Sequence, residues 1–310
     1  MIPPAGTPLV LRGREVGRDA DGARRPVVMA IVNRTTDSFY APARLADDGA
    51  ALAAAHRAWD DGAAILDVGG VRAGTGPAVS AAEEIDRVVP FLARVRQEIP
   101  QLLLSVDTWR SEVAAAAIEA GADLVNDTWA GHDPGLVEVA GAAGVGVVCS
   151  HTGGAQPRTD PYRVAYPVAD GADAGDPRDG VLHDVLATLR AGAERAVACG
   201  VPPSSVLVDP THDFGKNTWH SLHLLRRTPE LVALGYPVLM ALSRKDFVGE
   251  TLDLAPEERL PGTLAATALA AWHGAQVFRS HDVAATRQAL EMVAAVRDEA
   301  PPRVALRGLA

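Results

Sequence analysis

Residues 102–127 read LLLSVDTWRSEVAAAAIEAGADLVND and contain one complete β-α-β unit. LLLSVD and ADLVND are short runs that are apolar on both faces, which is typical of buried parallel strands. The Ala- and Glu-rich segment between them has apolar residues at helical spacing and ends at Gly121, a residue that commonly terminates helices. The two strands end at Asp107 and Asp127, so the unit places acidic side chains at the carboxyl ends of its strands.

The same alternation recurs along the chain. Eight apolar runs occur at 27–32, 63–68, 102–107, 122–127, 145–150, 205–210, 237–243 and 275–280. Helical segments alternate with them at 46–61, 80–98, 109–120, 133–142, 178–199, 217–234, 258–273 and 283–298. Eight such units predict an α/β protein with a (β/α)8 TIM barrel. A doubly wound sheet is the alternative, but it normally has fewer units and a G-x-G-x-x-G fingerprint, which does not follow the first strand here.

We expect a single domain, with the barrel over residues 26–300. Residues 1–25 are expected to form an N-terminal arm or a short hairpin, and residues 301–310 a C-terminal tail. The segment 152–177 is rich in Gly, Pro and Asp. It is expected to be an extended loop over one end of the barrel, or partly disordered.

Composition excludes several classes of protein. The chain is 48% hydrophobic, which argues against disorder, and its net charge of −10 argues against a nucleic-acid binder. No apolar run is long enough to span a membrane and the N-terminus lacks the pattern of a signal peptide, so we expect a cytoplasmic protein. Cys149 and Cys199 are too few for a disulfide framework and are expected to be buried, reduced thiols.

Every predicted strand ends in a hydrogen-bonding or ionisable side chain. The carboxyl ends of the strands surround the active site in barrels of this kind, and buried polar groups cost stability unless they are partnered. The whole set therefore predicts a ligand site, although Asp67, Asp107 or Asp127 could each be a helix N-cap. The residues are Asn33, Asp67, Asp107, Asn126, Asp127, His151, Asp209, Ser243, Arg244, Lys245, Arg279 and His281.

Two chemically distinct groups stand out in this set. Two carboxylates, an amide and an ammonium suit a planar heterocycle with several donors, such as a 2-aminopyrimidinone. These are Asp107, Asn126, Asp209 and Lys245. The first and eighth strands are neighbours in a closed barrel, so the side chains at their ends are expected to lie close together. These side chains could bind a phosphate or diphosphate, and Mg²⁺ could bind with it. These are Asn33, Arg279 and His281. The alternatives are a solvated Arg279 and a His281 that caps the last helix.

Seven stretches from about Val27 to Val296 together resemble dihydropteroate synthase in order and spacing. They are IVNRTTDSFY, ILDVGG, LSVDTWRSEVAAAAIEAGADLVND, VDPTHDFGKN, LGYPVLMALSRKDFVGE, ERLPGTLAATALAAWHGA and FRSHDV. The resemblance implies a (β/α)8 barrel, usually a homodimer, that acts in folate biosynthesis. Such enzymes join 6-hydroxymethyl-7,8-dihydropterin diphosphate to 4-aminobenzoate and release pyrophosphate with Mg²⁺. Helix 258–273 is a candidate dimer surface.

The resemblance also implies roles for individual residues. The pterin positions are Asp107, Asn126, Asp209 and Lys245, and the diphosphate positions are Asn33, Arg279 and His281. Asn33 is also the metal position, and Ser243 is expected near the aminobenzoate. The implied mechanism is dissociative. Lys245, Arg279 and His281 are its catalytic residues, and no side chain acts as a nucleophile.

The chain departs from the family pattern in several loops. After the first strand, Ala41-Pro42-Ala43 replaces the family's Asp-Gly-Gly, and after the second, Ala73 and Gly74 stand at its Thr and Arg positions. After the sixth, His212 and Asp213 replace small or apolar residues. In these respects the chain is similar to a divergent actinobacterial second paralogue of dihydropteroate synthase that is usually regarded as inactive.

Two functional hypotheses therefore stay open. One is a dihydropteroate synthase-type transferase, and the other is an inactive or altered-acceptor paralogue that keeps pterin diphosphate binding. Four polar residues that are new relative to the family pattern could form an alternative acceptor pocket, or could be solvated loop residues. They are Arg34, Arg72, His212 and Asp213.

Overall fold

The computed structural model of the protein describes residues 7–20, 22–35, 47–159, 165–166, 176 and 178–307. An antiparallel hairpin, β1 (Val10–Leu11) and β2 (Arg14–Glu15), precedes eight parallel strands. These are β3 (Val27–Asn33), β4 (Ile65–Gly69), β5 (Leu103–Asp107), β6 (Leu124–Asp127), β7 (Gly146–Ser150), β8 (Val206–Asp209), β9 (Leu239–Met240) and β10 (Val277–Ser280).

Helices connect the strands and cover the outside of the sheet. They are α1 (Asp48–Asp60), α2 (Ala81–Glu98), α3 (Ser111–Glu119), α4 (Gly135–Ala143), α5 (Asp179–Ala198), α6 (Thr218–Arg226), α7 (Thr228–Val232), α8 (Asp246–Leu252), α9 (Leu260–Trp272) and α10 (Val283–Val296). The strand order is β8-β7-β6-β5-β4-β3-β10-β9, and a bridge between Val208 and Val238 joins the two ends of this order. The predicted TIM barrel is confirmed.

The barrel interior explains why the strands are apolar on both faces. One set of alternate residues, including Met29, Ile65 and Leu103, packs inside the barrel, and the other set packs against the helices. Leu9 and Leu11 join the interior cluster from the N-terminal hairpin. The hairpin therefore covers the amino-terminal end of the barrel and leaves the carboxyl-terminal end for the site.

Most helices agree with the predicted ranges to within two residues, but larger differences occur in two regions. The predicted helix 217–234 is interrupted, so that α6 ends at Arg226 and α7 begins at Thr228. Pro229 lies in the first turn of α7, and proline disfavours a continuous helix through the preceding residue. The short helix α8 was not predicted, and only Leu239 and Met240 of the predicted strand 237–243 form a ladder.

Several expectations are not tested by the described residues. Residues 1–6, 21 and 308–310, and most of the segment 152–177, lie outside them, and so do the Ala41-Pro42-Ala43 positions of the first loop. Cys149 and Cys199 are free thiols, as expected, but each is half-buried rather than fully buried. Within the described ranges, no helix combines the length and the apolar character needed to cross a bilayer.

Candidate active site

A cleft of about 120 Å³ lies at the carboxyl ends of the barrel strands. Most of the predicted site residues line it together, although they come from distant stretches of the chain. They are Asn33, Asp107, Ser243, Lys245, Arg279 and His281. Asn126 and Asp209 are buried at the ends of β6 and β8, and hydrogen bonds and charge interactions connect them to the cleft residues.

Arg279 and two carboxylates form the centre of this site. The Nε of Arg279 donates to Asp67 Oδ2 at 2.6 Å, and the Nη2 of Arg279 donates to Asp107 Oδ2 at 2.8 Å. Asp67 is fully buried, and its carboxylate also accepts from Ser105 Oγ at 2.6 Å and from Asn126 Nδ2 at 3.1 Å. The network therefore ties β4, β5, β6 and β10 together across the mouth of the barrel.

The sequence placed Asp67 among the strand-end residues of the site but assigned it no partner and left open that it is a helix N-cap. It is not a helix cap, because its carboxylate faces the barrel interior two residues after the interior residue Ile65. That spacing was the available signal, since residues i and i+2 of a strand share one face. Nor is Asp107 an N-cap, because α3 follows Arg110 and has no side-chain cap. The carboxylate of Asp127 accepts from the N–H groups of Trp129 and Gly131 in the loop after β6.

Burial and neighbouring charges set the protonation of this network. Burial raises the pKa of Asp107 to about 6, against the influence of Arg279, and the nearby Asp67 raises it further. Burial would by itself lower the pKa of Arg279, but the negative charges of Asp67 and Asp107 have the larger effect. The pKa of Arg279 is therefore raised. Arg279 therefore stays cationic. Its side chain is only 19% exposed and pairs with two carboxylates, which excludes the alternative of a solvated side chain.

Asp209 and Lys245 form the second part of the site. Asp209 Oδ1 accepts from the N–H of Thr211 at 2.7 Å. Burial raises the pKa of Asp209, and the cation that most opposes this shift is Lys245. The ammonium of Lys245 donates to the carbonyl of His212 and lies 5.0 Å from the centre of the Phe214 ring. Lys245 is thus held between the end of β8 and the loop that follows it.

Lys216 organises this loop, a role that sequence reasoning did not assign. Its Nζ is buried and donates to the carbonyls of His151 at 2.8 Å, Phe214 at 2.9 Å and Thr211 at 3.1 Å. Burial lowers its pKa to about 7, and the neighbouring Lys245 contributes to the shift. Because Thr211 has a φ of +51°, which is rare for a β-branched residue, the loop needs such anchoring.

Asp213, one of the new polar residues, has a structural role. Its carboxylate accepts from the N–H of Asp246 at 2.7 Å and from that of Phe247 at 3.3 Å. These N–H groups belong to the first turn of α8, which lacks a capping side chain of its own. Asp213 therefore caps the helix that begins directly after Lys245, and it fixes that residue's backbone.

The predicted diphosphate residues lie on the other side of the cleft. The N–H of His281 donates to Ser243 Oγ at 3.2 Å, and Arg244 holds the next residue, Asp282, through two hydrogen bonds of 2.8 and 2.9 Å. Burial lowers the pKa of His281 to about 3, and Arg279 contributes. His281 is therefore neutral, and it is not the N-cap of α10, which is Asp282.

The fold and the site define an α/β barrel protein with a buried arginine–carboxylate network and a cleft at the carboxyl ends of its strands. The model of the "Pterin binding enzyme" family matches residues 29–281, and the chain belongs to this family.

Relatives and solved structures agree with this assignment. The chain is 56% identical over 301 residues to "Inactive dihydropteroate synthase 2" of Mycobacterium leprae, covering 97% of this chain and 99% of that protein. It is 36% identical over 261 residues to the dihydropteroate synthase of Bacillus subtilis, covering 84% of each. The structure of Yersinia pestis dihydropteroate synthase with a sulfonamide drug superposes with a TM-score of 0.81 at 34% identity, covering 94% of this chain and 99% of that one.

We predict that His281 does not titrate near neutral pH. Its folded pKa of about 3 lies below the unfolded value of about 6.5, so its contribution to stability is present above about pH 6.5 and declines as pH falls through this window. Between about pH 6.5 and 4.5, the free energy of unfolding should therefore fall less for the His281→Gln variant than for the unsubstituted protein. Ring signals of His281 in NMR should stay constant from about pH 5.5 to 8, and an apparent pKa near 6.5 would contradict this assignment.

Proposed function

We propose that the protein binds 6-hydroxymethyl-7,8-dihydropterin diphosphate in the cleft and acts as a dihydropteroate synthase-type transferase. The observation that carries this proposal is the network through which Arg279 joins Asp67 and Asp107, in the same cleft as Lys245. It brings together the groups expected to bind a pterin ring and those expected to bind a diphosphate. The reaction would form dihydropteroate from 4-aminobenzoate and release pyrophosphate.

The hydrogen-bonding groups of the pterin ring match the donors and acceptors in the cleft and in the buried layer beneath it. Asp209 uses one carboxylate oxygen for Thr211, so its other oxygen can accept from the ring N–H and amino groups. The amide of Asn126 donates to Asp67, which leaves its carbonyl oxygen as an acceptor. Lys245 supplies the cation that balances Asp209 and can donate to an acceptor on the ring.

The diphosphate would be bound mainly by Arg279 and His281. Arg279 uses Nε and Nη2 for the two carboxylates and makes no hydrogen bond through Nη1 within the described residues, so this nitrogen can donate to a phosphate oxygen. His281, being neutral, would donate one hydrogen bond. The bond between the pterin methylene and the diphosphate oxygen would break with both electrons leaving on pyrophosphate. The amine of 4-aminobenzoate would then attack the methylene and lose a proton.

Asn33 would be the protein ligand for Mg²⁺. A Cβ at Gly69 would lie 3.3 Å from Asn33 Oδ1, so the glycine gives this amide room at the edge of the cleft. No group of three or more His, Cys, Asp or Glu residues within the described parts of the chain could hold a metal. The donor set therefore fits an ion held mostly by water and phosphate oxygens, as Mg²⁺ commonly is. When bound, Mg²⁺ would neutralise charge on the leaving pyrophosphate.

A second candidate is a paralogue that binds pterin diphosphate but does not form dihydropteroate. Two observations favour it. Arg72 and Ala73 line the cleft, and Ala73 stands at the family's Thr position, so the proposed acceptor side differs in shape and charge from the family pattern. In addition, the relatives at 55–56% identity bear the name "Inactive dihydropteroate synthase 2".

Calorimetry and pyrophosphate release together test these candidates. We expect pterin diphosphate to bind in the presence of Mg²⁺. Release that depends on 4-aminobenzoate should be at least roughly 10²-fold slower than for the Bacillus subtilis synthase assayed in parallel, because the acceptor side is altered. Lys245→Ala should abolish binding, since buried Asp209 would lose its cation, whereas Lys245→Arg should retain part of it.

The outcomes separate the hypotheses. Binding with acceptor-dependent release supports the transferase, and binding without release supports the second candidate. Absence of pterin diphosphate binding contradicts both.

We also propose that the protein is a homodimer. Leu269 of α9 and Met292 and Val296 of α10 are exposed apolar side chains on two helices that pack against each other. Helix α9 lies within the segment 258–273 expected to form the dimer surface, and two chains would cover this face. Light scattering should give twice the chain mass of 32.3 kDa, and a mass of one chain would contradict the proposal. The cytoplasmic location stays a prediction.

A further inference from the structure

The loop after β4 forms one side of the cleft and contains a charged residue with no assigned role. Val71, Arg72 and Ala73 of this loop line the cleft together with residues that follow β9 and β10. The sequence left open whether Arg72 and the other three new polar residues form an acceptor pocket or are solvated. The four residues differ in whether their side chains contact the surrounding framework or line the cleft.

Arg34 is committed to contacts outside the cleft. Its side chain is 8% exposed, its guanidinium pairs with Asp48, and the same group lies 5.1 Å from the centre of the Phe91 ring. It also donates to the carbonyls of Asp47 and Arg87. Arg34 therefore anchors α1 and α2 to the end of β3 and belongs to the framework.

His212 and Asp213 also belong to the framework. His212 is fully buried, and its ring lies 5.5 Å from that of Phe247, behind the loop whose carbonyl receives Lys245. Asp213 caps α8. Of the four new polar residues, only Arg72 is among those that line the described cleft.

Gly74 shapes the position of the Arg72 guanidinium. A Cβ built on Gly74 would lie 3.4 Å from Arg72 Nε and 3.7 Å from its Nη2. The guanidinium thus packs against Gly74 on the side where any other residue would have its side chain. The family pattern has arginine at position 74. In this chain, the cationic side chain at the cleft therefore belongs to Arg72, two positions before the family's arginine.

Arg72 is an exposed residue of the cleft lining. Within the part of the chain that the structure describes, Arg72 forms no hydrogen bond and no ion pair. Arg279, by contrast, pairs with Asp67 and Asp107, and the ammonium of Lys245 acts on both Asp209 and Asp213. A planar guanidinium in this situation is suited to two parallel hydrogen bonds with a carboxylate.

We propose that Arg72 binds the carboxylate of the acceptor and so determines which amines this protein accepts. The proposal rests on the proposed function, because the acceptor reacts only next to a bound pterin diphosphate. It assigns recognition of the acceptor's carboxylate to a residue that the proposed function leaves without a role. Arg72 binds this group from the outer rim of the cleft, opposite the methylene that the amine attacks.

Two unreactive probes, 4-nitrobenzoate and 4-nitrobenzamide, test the proposal, because they differ in charge and neither has a nucleophilic amine. Their affinities are measured by calorimetry on the full chain saturated with pterin diphosphate and Mg²⁺. We expect the unsubstituted protein to prefer the carboxylate by about 10-fold or more, the size of one hydrogen bond between charged groups. Arg72→Leu should reduce the preference to about 1, and Arg72→Lys should keep part of it.

Two further variants serve as controls. Arg57→Leu removes an exposed arginine in the last turn of α1, at the opposite end of the barrel, and should leave the preference unchanged. Gly74→Val keeps Arg72 but fills the space beneath its guanidinium, so it should weaken the preference.

The proposal is overturned if the unsubstituted protein does not prefer the carboxylate, or if Arg72→Leu keeps the preference. It is also overturned if Arg72→Leu weakens pterin diphosphate binding as much as probe binding, since Arg72 would then belong to the diphosphate site. If the unsubstituted protein does not bind pterin diphosphate, the proposed function fails and this inference fails with it.

Discussion

The ion pairs of Arg279 with Asp67 and Asp107 are the interaction on which the rest of the site depends. Such groups lose hydration on burial, so they are stable only when every charge has a partner, and removing one partner costs about 3–5 kcal/mol. Ser105 and Asn126 complete the partners of Asp67. The barrel places these residues on adjacent strands in register, so the fold itself brings the charges together.

The two sides of the mouth differ in how firmly they are fixed. On the pterin side, Lys216 holds three carbonyls and Asp213 caps α8, so the position of Lys245 is determined by the two loops after β8 and β9. On the acceptor side, the loop after β4 contributes the exposed residue Arg72. Under the proposed function, this division would keep the framework expected to bind the ring while the surface proposed to select the acceptor changes.

The sequence predicted the architecture well because its signals are local. Strands that are apolar on both faces and helices that end at glycine predict a parallel barrel, and strand ends then predict which side chains meet. The role of Asp67 was missed because an acidic residue at a strand end is equally consistent with a helix cap. Lys216 binds backbone carbonyls, and α8 is capped by the distant Asp213, so no local pattern reveals either contact.

A double-mutant cycle between Asp67 and Arg279 tests the central claim most directly. The free energy of unfolding is measured in urea for Asp67→Asn, for Arg279→Met and for the combined variant. If the buried pair organises the barrel mouth, the two substitutions should show a coupling energy of about 2 kcal/mol or more, because the second removes a charge that the first left unpaired. Additive effects, within about 0.5 kcal/mol, would contradict the account.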